Sequence, residues 1–297
     1  MARYATARYS VKEAREATWA RRIALFFVQL LILTVLLHRF ASLATPAALN
    51  LIGVSIAGLF VAIGIAVFAI VRIWFGGQTG AAQAFAAIFI ACLGLAVPAF
   101  YLSHAALLPR INDVATTPDE PLGFATLAGL RPADAIPIKE PETTAIEAQV
   151  ESYPDIGPMV LERSAPEVFN LVQEAVGRLE WTVALSETPG ETGIGRIEAT
   201  DKSLMMGFTD DVVIQVKGDD AHAVIDVRSV SRYGLHDFGA NAARIRALFA
   251  EVTTALEKGE KTVLEQAATK DKDAAKKNGA KKQSVKKPAK RRRSRGR

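Results

Sequence analysis

Cysteine and histidine are scarce in this sequence, and that scarcity limits the chemistry the chain can support. Cys92 is the only cysteine, so no disulfide can form within the chain. The four histidines are scattered at positions 38, 104, 222 and 236, which argues against a zinc site. No Gly-rich phosphate loop follows a predicted strand, and no G-x-S-x-G nucleophile motif occurs. The sequence therefore predicts neither a metal nor a cofactor, and it leaves catalysis undecided.

Charged residues are missing from three long stretches in the first third of the chain. Lys, Arg, Asp and Glu are absent from residues 23–38, 47–71 and 81–102. As a helix the first run covers roughly 24 Å, so its flanking arginines would have to extend toward the membrane surface. The other two runs are long enough to cross a bilayer, and runs of this length argue against buried helices of a soluble protein. We predict a three-helix transmembrane anchor over residues 23–108.

Small residues recur one helical turn apart in the second run. Gly53 with Ala57, and Gly58 with Ala62, would let two helices approach closely. Ala and Gly are abundant in all three runs, however, so a helix face turned to lipid is the alternative.

Basic residues near the ends of the runs predict the orientation in the membrane. Seven of them would lie on the N-terminal side, namely Arg3, Arg8, Lys12, Arg15, Arg21, Arg22 and Arg72. Only Arg39 and Arg110 would lie on the other side. We therefore predict a multi-pass protein of the bacterial inner membrane, with a basic cytoplasmic segment at residues 1–22 and everything after the third span in the periplasm.

The remaining charge divides into an acidic middle and a basic end. Residues 109–269 hold fourteen Lys and Arg against twenty-seven Asp and Glu, whereas residues 270–297 hold fourteen against two. Residues 270–297 lack the apolar residues needed for a core, so we predict a disordered basic tail, with its start placed at residue 258. Anionic lipids, anionic envelope polymers and the acidic domain of the same chain are its candidate partners, and a solvated tail without a partner is the alternative. Nucleic acid is disfavoured, because the tail would lie outside the cytoplasm and lacks aromatic residues for stacking.

The acidic middle begins with a Pro-rich connector at residues 109–158, for which we expect a short helix near residues 144–152. An α+β domain follows over residues 159–257. Strand-like runs lie at 159–163, 181–186, 194–201, 211–217 and 223–231, with a helix at 164–179 and a second helix starting at Asp237. Ser164 and Glu167 suggest a capping box. We predict a two-layer domain, an antiparallel sheet with both helices on one face.

Four separated blocks of this region resemble one known family. They are PRINDVATTPDEP (109–121), YPDIGPM (153–159), IEATDKSLMMGFTDDVVIQV (197–216) and IDVRSVSRYGLHDFGANAARIRALF (225–249). In order and in content they resemble the domain of unknown function 1499, over roughly residues 109–256. Thr117 stands where that family usually has an acidic residue. The resemblance implies a domain boundary and an association with membrane spans, and it transfers no catalytic residue.

Four carboxylates on neighbouring strands form a first candidate ligand site. Glu198 and Asp201 lie on one predicted strand, and Asp210 and Asp211 begin the next. If the strands pair, these groups could bind a hard cation, or one carboxylate could raise the pKa of another. Neighbouring strand residues point to opposite faces, however, so Asp210 and Asp211 cannot act as a simple pair. Solvated or turn-capping carboxylates are the alternative.

The segment from Arg228 to Asp237 forms a second candidate site. Arg228, Arg232 and His236 precede a helix start, where backbone N–H groups and arginines could bind an anion. Structural ion pairs and helix capping by Asp237 are the alternative. A Ser-His-Asp hydrolase is disfavoured, because adjacent His and Asp residues have poor geometry for a relay.

These features lead to one function and two alternatives. We predict an inner-membrane protein that presents an acidic extracytoplasmic binding or scaffolding domain. The first alternative is a membrane-surface enzyme that uses the carboxylates or the segment from Arg228 to Asp237. The second alternative is an accessory subunit of a membrane complex.

Overall fold

Three long apolar helices form the N-terminal part of the structure, which is a computed structural model that describes residues 12–203 and 206–258. They are α1 (Arg15–Phe40), α2 (Thr45–Gly76) and α3 (Ala81–Ala105). All three are long and apolar enough to cross a membrane, which agrees with the predicted anchor. Arg3, Arg8 and the predicted disordered tail from residue 259 onward lie outside the described residues.

Small side chains bring the three helices into close contact. Alanines fill the buried seams, including Ala17, Ala24, Ala62, Ala66, Ala87 and Ala91. Gly58 faces Phe27 of α1 so closely that an added Cβ would lie 2.2 Å from the ring, whereas Gly53 has no neighbour within 4 Å. Gly58 and Ala62 are therefore contact positions between helices, and Gly53 is not.

The second part of the chain is built on one six-stranded antiparallel sheet. Its strands are β1 (Asp113–Ala115), β2 (Met159–Leu161), β3 (Thr182–Glu187), β4 (Ile194–Lys202), β5 (Thr209–Gly218) and β6 (Ala223–Ser231). The order is β1-β6-β5-β4-β3, and β2 pairs with the same edge of β6 as β1 does. The predicted α+β fold is confirmed.

Two helices cover one face of the sheet. They are α6 (Ala165–Arg178) and α7 (residues 240–258). Phe169 and Val172 from α6, and Ile245 and Leu248 from α7, share a buried core with alternate residues of β4, β5 and β6. The period of two along the strands separates this apolar face from the opposite one.

The predicted capping box at the start of α6 is wrong. Ser164 occupies the N-cap position, but its hydroxyl makes no capping hydrogen bond. The Glu167 carboxylate, which would have to reach back to the cap backbone, instead lies 3.4 Å from the Arg163 guanidinium.

The Pro-rich region contributes structure to the domain. It supplies β1 and two helices, α4 (Leu127–Leu130) and α5 (Thr143–Ser152). Residues 122–139 run over the face of the sheet opposite α6 and α7, where Leu122 and Lys139 accept hydrogen bonds from Arg228. Sequence reasoning missed β1, which is only three residues long and lies among prolines.

The domain contacts the end of the helix bundle where α1 and α3 finish and α2 begins. The His38 ring lies 2.6 Å from the carbonyl oxygen of Met206, in the β4–β5 connection. His236, in the segment before α7, lies 3.1 Å from the carbonyl oxygen of Ala105 at the end of α3. The sheet is thus held close to one end of the helix bundle.

Candidate functional site

Six of the seven predicted site residues divide into two polar networks, one on each face of the sheet, and His236 lies apart from both. Asp210 and Asp211 are adjacent in β5 and point to opposite faces, as the strand period predicted. Asp210 faces α7, and Asp211 faces the segment of residues 122–139 and its neighbours. The two carboxylates therefore belong to separate sites.

Arg244 of α7 organises the network on the helix face. Its guanidinium donates to Asp201 Oδ2 and Asp210 Oδ2, each at 2.8 Å. It also donates to Ser229 Oγ at 2.9 Å and Asn241 Oδ1 at 2.8 Å. Burial raises the pKa of Asp210, although the Arg244 guanidinium opposes that rise. The network joins β4, β5, β6 and α7 around a single cation.

Two arginines hold Asp211 on the other face of the sheet. Arg131 Nη1 donates to Asp211 Oδ2 at 2.9 Å, and Arg232 Nη2 donates to Asp211 Oδ1 at 2.7 Å. Arg131 also donates to the carbonyl oxygen of Ser231 at 3.0 Å. Burial lowers the pKa of Arg131, and the Asp211 carboxylate opposes that change. Arg131 comes from the Pro-rich region, and nothing in the sequence identified it as a partner.

Glu198 fixes the first turn of α4 on the same face. Its carboxylate accepts hydrogen bonds from the backbone N–H groups of Ala125, Thr126 and Leu127 at 2.5, 2.9 and 2.8 Å. The Arg196 guanidinium lies 2.9 Å from Glu198 Oε1. Burial alone would raise the pKa of Glu198, but these amide and guanidinium hydrogen bonds outweigh burial and lower it.

Arg228 completes this face by binding the Pro-rich region. It pairs with both oxygens of Asp113 in β1, at 3.1 and 2.7 Å. It donates to the carbonyl oxygens of Leu122 and Lys139 at 2.8 and 2.9 Å, and its guanidinium lies over the Phe124 ring. Arg228 thus holds together three separate stretches of chain.

The segment before α7 is occupied by groups of the chain itself. Asp237 accepts from the N–H groups of Gly239 and Asn241, each at 2.9 Å, so it caps α7 as predicted. His236 Nδ1 accepts from the Phe238 N–H at 2.9 Å, which leaves Nε2 to donate to Ala105. Burial raises the pKa of Asp237. An anion at this helix start would meet the Asp237 carboxylate.

The candidate residues therefore do not converge on one open cleft. Two pockets within the described parts of the chain are not lined by any of the seven candidates. One of these pockets, of about 210 Å³, lies beside Thr117, Glu120, Gln215, Lys217 and Asp226. There the Thr117 hydroxyl donates to Asp226 at 2.7 Å. No group of three or more His, Cys, Asp or Glu suited to a metal occurs within residues 12–203 and 206–258.

The chain thus combines three helices that are long and apolar enough to cross a membrane with an α+β domain that is bound together by buried arginine–carboxylate pairs. Residues 113–252 match the family described as protein of unknown function, DUF1499. The resemblance noted in the sequence is confirmed for this C-terminal domain. No curated protein and no solved structure matches the chain.

Proposed function

We propose that this chain is a multi-pass protein of the bacterial inner membrane that presents an acidic binding or scaffolding domain in the periplasm. The N-terminus is cytoplasmic, and the spans hold the domain against the outer side of the membrane. The matched family has no described function, so the proposal rests on the residues of this chain.

Basic residues at the two ends of the bundle support this orientation. The end away from the domain carries Lys12, Arg15, Arg21, Arg22 and Arg72 among the described residues. The domain end carries Arg39 and Arg110. Basic residues near span ends are enriched on the cytoplasmic side, so the excess at the far end favours a periplasmic domain.

The state of the buried polar groups supports binding over catalysis. Catalytic acids and bases have to reach a substrate, usually in a concave site with perturbed pKa values. Glu198, Asp211 and Arg228 are buried beneath residues 122–139 and paired within the chain. The pairing of these buried groups within the chain is the observation that carries the proposal. It leaves the exposed acidic surface of the domain as the region that a partner can contact.

The charges of the chain suggest what that partner is. Exposed carboxylates lie along α5 and α6, including Glu147, Glu151, Glu167 and Glu174. The basic residues after position 270 are complementary to them, so the acidic domain of the same chain is one partner of the tail. Membrane lipids and anionic envelope polymers are the other partners that we propose for the tail.

Cysteine labelling in intact spheroplasts tests the orientation. In a Cys92→Ser background, Asp220→Cys places a thiol in the exposed β5–β6 turn, and Thr79→Cys places one in the exposed α2–α3 turn. A membrane-impermeant maleimide should label Asp220→Cys in intact spheroplasts and Thr79→Cys only after permeabilisation. The reverse pattern would place the domain in the cytoplasm and refute the proposal.

A further inference from the structure

Three large apolar side chains at the domain end of the bundle are exposed over much of their surface. Leu107 is 84% exposed, Leu235 is 61% exposed and Phe238 is 43% exposed. They belong to two stretches that we call the membrane-facing loops, residues 106–108 after α3 and residues 234–239 before α7. An exposed apolar cluster of this kind marks a surface that meets something other than water.

The position of the membrane-facing loops along α3 gives their depth. The uncharged part of α3, residues 81–102, is roughly 33 Å long, so its last turn reaches the edge of a hydrocarbon core about 30 Å thick. Tyr101 lies in that turn, where aromatic side chains collect at membrane–water boundaries. The Phe238 ring contacts the Tyr101 ring at 5.8 Å between centroids, so Phe238 lies at the same depth.

The backbone of the second loop is bent to present Phe238. Phe238 has φ of 55°, a left-handed conformation that bulky residues rarely adopt. Three hydrogen bonds hold this bend. The Phe238 N–H donates to His236 Nδ1, and His236 Nε2 donates to the Ala105 carbonyl oxygen. The Asp237 N–H donates to the Ile111 carbonyl oxygen at 3.0 Å. Strained backbone persists where the surrounding structure enforces it, often at functional positions.

A separate contact fixes the domain at the same level on α1. The Phe208 ring contacts the His38 ring at 5.1 Å between centroids, and Arg39 Nη1 donates to the Ser203 carbonyl oxygen at 3.1 Å. His38 and Arg39 are in the last turn of the first span. The domain is therefore held at the boundary level from two sides, and the membrane-facing loops cannot rise into water without breaking these contacts.

We propose that the membrane-facing loops insert Leu107, Leu235 and Phe238 into the lipid leaflet that surrounds the adjoining span ends. The occupant is the bilayer because the cluster continues the lipid-facing surface of α3, where Leu102 is also exposed. Arg39 and Arg110 lie nearby and suit anionic headgroups. This inference requires the spans to cross a bilayer, but it holds whichever compartment contains the domain.

Fluorescent labels at single cysteines test the insertion. The native Cys92 is exposed on α3 and serves as the reference for the lipid interior. In a Cys92→Ser background, Leu235→Cys and Leu107→Cys report on the membrane-facing loops, and Val160→Cys on β2, an exposed position, is the aqueous control. Each bimane-labelled full-length protein is reconstituted into vesicles of phosphatidylethanolamine and phosphatidylglycerol. Quenching is measured with iodide in the buffer and with headgroup-nitroxide lipid.

Insertion predicts a blue-shifted emission at positions 235 and 107 relative to position 160. It also predicts loss of iodide quenching and strong quenching by the nitroxide lipid at both positions. If iodide quenches both positions as strongly as position 160 while Cys92 is shielded, α3 crosses the bilayer but the insertion of the loops is refuted. Shielding from iodide without quenching by the lipid would indicate contact with a second copy and would also overturn the proposal.

Discussion

Replacing Arg244 by methionine tests whether the buried polar networks hold the domain together. Methionine keeps much of the length of the arginine side chain and removes the guanidinium. Asp210 then loses the cation that compensates its charge, and Ser229 and Asn241 each lose a donor. The change acts on one end of α7 and on the three central strands together.

The expected loss follows from the burial of the pair. Removing one partner of a buried ion pair costs about 3–5 kcal/mol, because the other charge is left uncompensated. A whole domain is typically stable by only about 5–15 kcal/mol. With a urea dependence of about 2 kcal/mol per molar, the unfolding midpoint should fall by about 2 M.

The loss should also depend on pH in a definite direction. Burial raises the pKa of Asp210 even with Arg244 present, and removing Arg244 raises the folded-state pKa further. The pKa of Asp210 in the unfolded chain stays near about 4. An acid whose pKa is higher in the folded state than in the unfolded state destabilises the protein at pH values above its folded-state pKa. This destabilisation disappears as the pH falls toward the pKa of the unfolded state. The difference between variant and parent should therefore shrink as pH is lowered from about 7 toward about 4.

Trp181 provides the assay, since it is buried in the domain core. With Trp19→Phe and Trp74→Phe in the spans, its fluorescence reports urea unfolding of the domain within the full-length protein in detergent. The matched control is Arg246→Met, two residues further along α7. Arg246 and its partner Asp155 are both about half exposed, so this pair contributes only about 0–1 kcal/mol.

Two results would refute this reasoning. One is a loss for Arg244→Met no larger than that for Arg246→Met. The other is a loss that does not change with pH. Adding Asp210→Asn to Arg244→Met should recover part of the stability, because the uncompensated carboxylate is then gone.

Two further predictions concern other parts of the chain. Glu198→Gln should lower the free energy of unfolding by about 3 kcal/mol at neutral pH. Because folding lowers the pKa of Glu198, the stability that its carboxylate contributes is fully present above about pH 4.3 and is lost as pH falls through the folded-state pKa. The difference between variant and parent in urea unfolding should therefore become smaller in acid. Gly58→Leu should lower the thermal midpoint of the detergent-solubilised protein because the new side chain displaces Phe27, whereas Gly53→Leu should have little effect. Equal effects of the two glycine variants would contradict the packing seen between α1 and α2.

Much of the fold could be predicted because its elements follow simple periods. Charge-free runs predicted the three spans, and alternation predicted β3 to β6. The strand β1 escaped because three residues are too few to show a period, and its pairing with β6 depends on residues more than a hundred positions away. The capping box does not form because Glu167 pairs with Arg163, a residue outside the motif.

The sequence predicts to which face of the sheet each carboxylate points, but it does not predict which arginine binds it. The strand period placed Asp210 and Asp211 on opposite faces, and Asp237 was predicted as a helix cap. Asp210 is bound by Arg244, which lies on α7, and Asp211 is bound by Arg131, which lies in the Pro-rich region. No spacing rule connects residues 80 positions apart, so these pairs needed the tertiary structure.

The short link between α3 and β1 sets how far the domain can reach. Only residues 106–112 separate the end of the third span from the sheet. Fully extended, seven residues cover at most roughly 25 Å, less than the thickness of a bilayer with its headgroups. With the helices spanning a bilayer as we propose, the folded domain stays within one protein diameter of the lipid, and a large or distant partner has to come to the membrane surface to meet it.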